Sequence, residues 1–160
     1  MQPNDPIIGR DRERREFERA YSRGAGELVL IYGRRRIGKS FLLEYLTGPH
    51  PTVFYQAAQQ SAGEELAGFA RAVAPLVGGE YLPAGFAFPS WEAALDFLVE
   101  RNRHPRLVVV LDEFPYLCDT DPSLPAVIQR WWDKRGRRSK IMLVLCGSAQ
   151  TFMEDLEANA

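Results

Sequence analysis

The chain has 160 residues, 46% hydrophobic and 26% charged, which excludes a disordered or fibrous chain and fits one globular domain over residues 1–160. Lys and Arg number 20 against 21 Asp and Glu, so the net charge of −1 supplies no global attraction to nucleic acid or an anionic membrane, and any basic function has to be local. Cys118 and Cys146 lie far apart with no CxxC or Cys/His spacing, which argues against a disulfide framework or zinc site and fits a reducing cytoplasm.

From the N-terminus, "MQPNDPIIGRDRERREF" has no apolar leader core, and no later run approaches the roughly 20 apolar residues of a membrane span. The expectation is a soluble, cytoplasmic protein with no membrane partner. Gly9 to Arg19 mixes charge signs at helical spacing and reads as a solvated helix face, with nucleotide-base or partner contact as the alternative.

Four short runs are apolar on both faces and rich in β-branched residues: Glu27 to Tyr32, Thr52 to Gln56, Arg106 to Phe114, and Lys140 to Gly147. That pattern predicts central parallel strands. Between them, Lys39 to Leu46, Ser61 to Leu76, Ser90 to Asn102 and Pro125 to Lys134 carry helical periodicity. Ser61 and Ser90 are predicted N-caps, and Glu64 stands three residues after Ser61 in capping-box spacing. Strands alternating with helices imply a doubly wound α/β sheet, because parallel strands need crossovers. Gly78 to Pro89 is broken by glycine and proline and reads as a loop. Cys146 inside "IMLVLCG" reads as a small buried hydrophobe. Of the adjacent pair Trp131 and Trp132, one is expected buried and the other partly exposed.

The first strand breaks into "GRRRIGKS", Gly33 to Ser40, which matches GxxxxGK[ST] in the strand-to-helix context that makes the pattern a phosphate-binding loop. Glycine lets the backbone turn so that successive N–H groups point inward, and the following helix adds its partial positive charge. The predicted binding segment comprises Gly33, Arg34, Arg35, Arg36, Ile37, Gly38, Lys39, Ser40 and Phe41, with the three arginine side chains directed largely outward. Lys39 is placed on the β- and γ-phosphates and the Ser40 hydroxyl on Mg²⁺.

"LVVVLDEF" ends a buried strand in two adjacent carboxylates, the Walker B arrangement, at the strand end where open α/β sheets bind ligands. Asp112 is predicted to hold Mg²⁺ and Glu113 to polarise the water that attacks the γ-phosphate. A phosphotransferase needs its base at an acceptor substrate, whereas a Glu beside the metal-binding Asp favours hydrolysis. Ser148 closes the last strand at the same edge, either as a γ-phosphate sensor or as the N-cap of "AQTFMEDLE". The basic run Asp133 to Lys140 precedes that strand, so it belongs to the opposite edge and reads as a solubilising turn, not as an arginine finger for its own site, with action of Arg137 and Arg138 on a neighbour or on a phosphate backbone as the alternatives.

The stretches "IIGRDRERREFE", "IYGRRRIGKSFLLEYL", "VFYQA", "VVVLDEFPYL" and "VLCGSAQTFME" together resemble the prokaryotic archaeal-type ATPases, a branch of the AAA+ and STAND-related P-loop proteins. The resemblance implies an ASCE-type three-layer α/β sandwich with a mostly parallel central sheet and an extra strand between the P-loop and Walker B strands. It also implies Ile8, Gly9 and Arg10 near the adenine, Lys39, Glu113 and Ser148 as catalytic residues, Ser40 and Asp112 on the metal, and ATP with Mg²⁺ as cofactors. No guanine-reading NKxD pattern occurs, and adenine is what the family carries. Family members continue with a further strand, a helical lid and commonly winged-helix and nuclease-like regions, whereas this chain stops at Ala160. The expectation is therefore the N-terminal part of an ATPase core, lacking the C-terminal strand and lid, whose DNA or protein partner would be reached through further domains and for which self-association is open. Mg²⁺-dependent ATP hydrolysis driving a conformational change is the expected function. The alternatives are a nucleotide-gated switch without appreciable hydrolysis and, behind it, a small-molecule kinase.

Overall fold

A computed structural model describes residues 11–32, 39–78, 81–148 and 150–159. In chain order these form α1 (Asp11–Ser22), β1 (Glu27–Tyr32), α2 (Lys39–Thr47), β2 (Thr52–Gln56), α3 (Ala62–Val77), α4 (Trp91–Arg101), β3 (Leu107–Asp112), α5 (Phe114–Thr120), α6 (Leu124–Lys134), a 3₁₀ turn (Gly136–Arg138), β4 (Ile141–Gly147) and α7 (Gln150–Asn159). The four strands pair in parallel in the order β1-β4-β3-β2. The last strand thus inserts between the first and third, as the resemblance implies.

Alternation along the strands divides the core in two. Val108, Val110, Met142, Val144 and Cys146 face a layer made by Phe17 and Ala20 of α1 and Leu42, Leu43 and Leu46 of α2. Val109, Leu111, Leu143 and Leu145 face the opposite layer, where α3 to α6 contribute Phe69, Trp91, Leu95, Leu117, Ile128 and Trp131. Every residue of β3 and β4 is buried, which is why both read as unbroken apolar runs. β1 and β2 carry the same apolar pattern yet lie at the sheet edges among the described residues, so the expectation of four central strands is corrected for these two: Leu28 to Ile31 are half-buried. Truncating a fully enclosed residue such as Leu143 to Ala would cost about 2–5 kcal/mol.

The predicted caps are present. Ser61 Oγ accepts the Glu64 N–H at 3.2 Å and donates to Glu64 Oε1 at 2.7 Å, the reciprocal capping box, and Ser90 Oγ accepts the Ala93 N–H at 3.0 Å. The third strand stops two residues before the predicted Phe114, because Glu113 turns left-handed (φ 55°) and Pro115 opens α5, a helix the periodicity did not indicate. Both tryptophans are buried, against the expectation of one exposed. Trp131 donates its indole N–H to Asp96 Oδ1 of α4 at 2.9 Å, and the 3₁₀ turn folds back over both rings so closely that a Cβ on Gly136 would lie 2.6 Å from Trp131. Cys118 and Cys146 are both buried thiols.

The basic run behaves as a turn at the N-terminal edge of the sheet. Arg137 pairs with Asp133 at 3.0 Å, Arg135 with Asp96 at 3.1 Å, and Lys140 donates to the Gly24 carbonyl at 3.1 Å. Beside it, the buried Arg106 guanidinium closes α1 by donating to the carbonyls of Ala20 and Ala25, and its burial lowers its pKa. No helix among the described residues is long and apolar enough to cross a membrane.

Candidate functional site at the C-terminal edge of the sheet

Parallel strands bring their C-terminal ends to one edge, and β1, β2, β3 and β4 end there at Tyr32, Gln56, Asp112 and Gly147. Lys39 and Ser40 begin α2, seven and eight positions beyond the end of β1. Ile8, Gly9 and Arg10, together with Gly33, Arg34, Arg35, Arg36, Ile37 and Gly38, lie outside the described residues. Phe41, in the first turn of α2, is 38% exposed, unusual for an aromatic residue in a helix otherwise packed through Leu42, Leu43 and Leu46.

Asp112 is only 1% exposed, a setting in which a carboxylate needs donors. One comes from its own neighbour: the Glu113 N–H donates to Asp112 Oδ1 at 2.9 Å. On its other side the Ala57 N–H, from the segment after β2, donates to the Asp112 main-chain carbonyl at 3.0 Å, extending the β2–β3 ladder by one rung beyond the Gln56–Asp112 pair. Asp112 is thereby fixed through both backbone and side chain.

Glu113 adopts φ 55° and ψ 43°, a left-handed conformation that costs a non-glycine residue about 1–2 kcal/mol. The turn swings its carboxylate off the strand axis toward β4, where Glu113 Oε2 meets Ser148 Oγ at 3.5 Å. Beside it, Gly147 lets Pro115 and Met153 pack closely against the end of β4, since a Cβ there would lie 2.7 Å from the Pro115 ring and 3.2 Å from Met153 Sδ. The edge therefore brings together Asp112 at the end of β3, Glu113 just beyond it and Ser148 just beyond β4. Sequence reasoning missed Ala57 and Gly147; the glycine ending "IMLVLCG" was a usable sign of close approach, whereas a main-chain donor leaves no signature.

Among the described residues no three His, Cys, Asp or Glu side chains gather as a metal cage. The buried Asp112 carboxylate is nonetheless a hard oxygen donor of the kind Mg²⁺ takes alongside water and phosphate oxygens.

These features define a P-loop ATPase-type α/β fold. The chain belongs to the ATPase domain family predominantly from Archaea, whose sequence model matches residues 8–160. A nucleotide-binding, ATPase-type function comes with that membership. An uncharacterized protein of Methanocaldococcus jannaschii, MJECL04, is 27% identical over 147 residues, which cover 92% of this chain and 30% of that protein. Two solved structures share the fold: the Walker-type ATPase paby2304 of Pyrococcus abyssi, with TM-score 0.68 and 19% identity over 92% of this chain and 47% of that one, and Cdc6p from Pyrobaculum aerophilum, with TM-score 0.63 and 17% identity over 94% and 41%. The chain thus spans less than half the length of each.

Proposed function

We propose that this chain binds Mg²⁺-ATP at the C-terminal edge of its sheet and hydrolyses it, the cycle driving a conformational change in a larger protein or assembly. The observation that carries the reading is the buried Asp112 followed by a Glu113 whose left-handed turn brings its carboxylate to Ser148, just beyond the neighbouring strand. A mere solvated Asp-Glu pair would need neither the burial nor the strained backbone.

Each residue then has a role. Backbone N–H groups of Gly33 to Gly38 and the start of α2 cradle the phosphates, Lys39 neutralises β- and γ-phosphate charge, and Ile8, Gly9 and Arg10 lie by the adenine, with Phe41 completing the binding segment. Ser40 and Asp112 would hold Mg²⁺, which when bound would offset the negative charge that develops on the phosphate oxygens. Glu113 accepts the proton of the attacking water as its oxygen bonds to the γ-phosphorus and the β–γ bridge breaks toward ADP. Ser148 orients Glu113 or the γ-phosphate. Lengths beyond this segment in the relatives leave room for a DNA or protein partner engaged through other domains, with the work done in the cytoplasm.

The decisive experiment titrates ATP and ADP, with and without Mg²⁺, into the chain and its Lys39→Ala variant by calorimetry, then measures phosphate release on the same samples. Mg²⁺-enhanced binding that Lys39→Ala abolishes, with phosphate release, is the expected result. Binding without release would reduce the chain to a nucleotide-gated switch, and no binding would overturn the proposal.

A further inference from the structure

Glu65, in the first turn of α3, has no exposed surface. Helix capping does not account for it, because Ser61 and Glu64 already form the N-cap pair. A carboxylate so placed loses its hydration and depends on local donors. They come from the end of β2 and the segment after it: Glu65 Oε1 accepts from the Tyr55 hydroxyl, from the Ala58 N–H at 3.1 Å and from Gln60 Nε2 at 3.4 Å. Glu65 Oε2 is buried with no hydrogen-bond partner, and among the described residues no Lys or Arg forms an ion pair with this carboxylate.

The helix is shaped to allow this contact. A Cβ on Gly68, one turn further along α3, would lie 2.8 Å from both Cε1 and the hydroxyl of Tyr55, so the glycine lets that ring lie across the helix and reach Glu65. Burial, then the hydrogen bond to Glu65, keeps the Tyr55 phenol protonated far above its ordinary range, so it serves as a permanent donor.

All three donors belong to residues 55–60, and this segment also supplies the Ala57 N–H that holds the Asp112 carbonyl at 3.0 Å. Its Gln59 sits at φ 55°, a conformation that the neighbouring contacts must maintain. We propose that Glu65 is a positioning residue for the nucleotide site: by clamping Tyr55 and Ala58 it fixes the segment after β2 against the end of β3, which presets the Asp112 carboxylate for a nucleotide-bound divalent cation. The proposal rests on the nucleotide reading given above.

The test is calorimetric titration of ADP with and without Mg²⁺ into the wild-type chain, Glu65→Ala, Glu65→Gln and Tyr55→Phe, with amide hydrogen exchange of Ala57 followed on the same proteins. Glu65→Ala should erase at least about tenfold of the Mg²⁺-dependent gain in affinity, the loss typical when a supporting shell is removed, while the Mg²⁺-free affinity changes by less than about twofold. Ala57 exchange should accelerate in the same variant. Glu65→Gln keeps the accepting oxygen and should restore both readouts. Tyr55→Phe removes one donor and carries the test if Glu65→Ala does not fold; it should lower the Mg²⁺-dependent gain without lowering the Mg²⁺-free affinity. An unchanged Mg²⁺-dependent gain in the folded variants, an equal loss with and without Mg²⁺, or a Gln variant as impaired as Ala would overturn the positioning role and leave nucleotide binding standing. A wild-type chain with no Mg²⁺-dependent binding would instead sink the underlying reading, and this proposal with it.

Discussion

Ser148 Oγ and Glu113 Oε2 lie 3.5 Å apart across the β3–β4 boundary, although 35 positions separate them in the chain. The distance is long for a hydrogen bond, so the hydroxyl limits where the carboxylate can go more than it binds it. Two features set this spacing: β4 is inserted beside β3, and Glu113 leaves its strand through a left-handed turn.

That placement predicts a specific loss for Glu113→Gln. The amide keeps the shape but cannot accept the proton of an attacking water, so phosphate release should fall by about 10²–10⁴-fold. Mg²⁺-ATP affinity should stay within a few-fold of wild type, because Glu113 is not assigned to phosphate or metal. Parallel titration and phosphate assays would check this, and a variant with undiminished release would remove Glu113 from the chemistry.

Asp112→Asn should act on the other half of the pair. The amide can still accept the Glu113 N–H through its carbonyl oxygen, so the local turn survives, but the negative charge is gone. ATP binding without Mg²⁺ should persist, and most of the additional affinity conferred by Mg²⁺ should disappear. Titrations at matched ionic strength separate this effect from general screening.

Gly147→Ala tests the packing that lets the two strand ends meet. Its Cβ would lie 2.7 Å from Pro115 Cδ, in a fully buried strand, so the proline or the strand must shift. Overpacking of this kind costs about 1–3 kcal/mol. We expect a lower midpoint in urea unfolding together with reduced phosphate release, as Pro115 displaces the adjoining Glu113 turn. A variant as stable as wild type would show that the edge yields more easily than its packing suggests.

How much of this was legible follows from the physics of each element. All four strands were visible as apolar runs; in β3 and β4 the cause is burial between two layers, which admits few polar residues. Their order was not: nothing in "IMLVLCG" says that it inserts between β1 and β3, and only the family resemblance implied it. Asp112 and Glu113 announced themselves as charges ending an apolar run, whereas α5 was hidden because seven residues are too few to display a helical period. The tryptophan pair misled for a tertiary reason, the fold-back of Gly136 over both rings. Glu65 looked like an ordinary first-turn helix acid beside Glu64. Only the approach of Tyr55 over Gly68 separates a buried carboxylate from its exposed neighbour.

Alkaline pH should weaken the fold through two buried groups that are neutral in the native state. Burial, followed by the charges of Asp119 and Asp121, pushes the Cys118 thiol up to about 12 from 9.0, and burial with the Glu65 contact raises Tyr55 as well. Both groups are neutral in the native state, and the unfolded chain loses these protons first as pH rises. Their contribution is therefore complete below about pH 9 and declines toward pH 12, by up to about 1.4 kcal/mol per pH unit for each group titrating only in the unfolded state. Urea midpoints measured from pH 8 to 11 should fall, and the slope should be shallower in Cys118→Ala, which leaves no thiol at that position to ionise. An identical slope in wild type and Cys118→Ala would assign the alkaline loss to other groups, and Tyr55→Phe would then show how much of it the phenol carries.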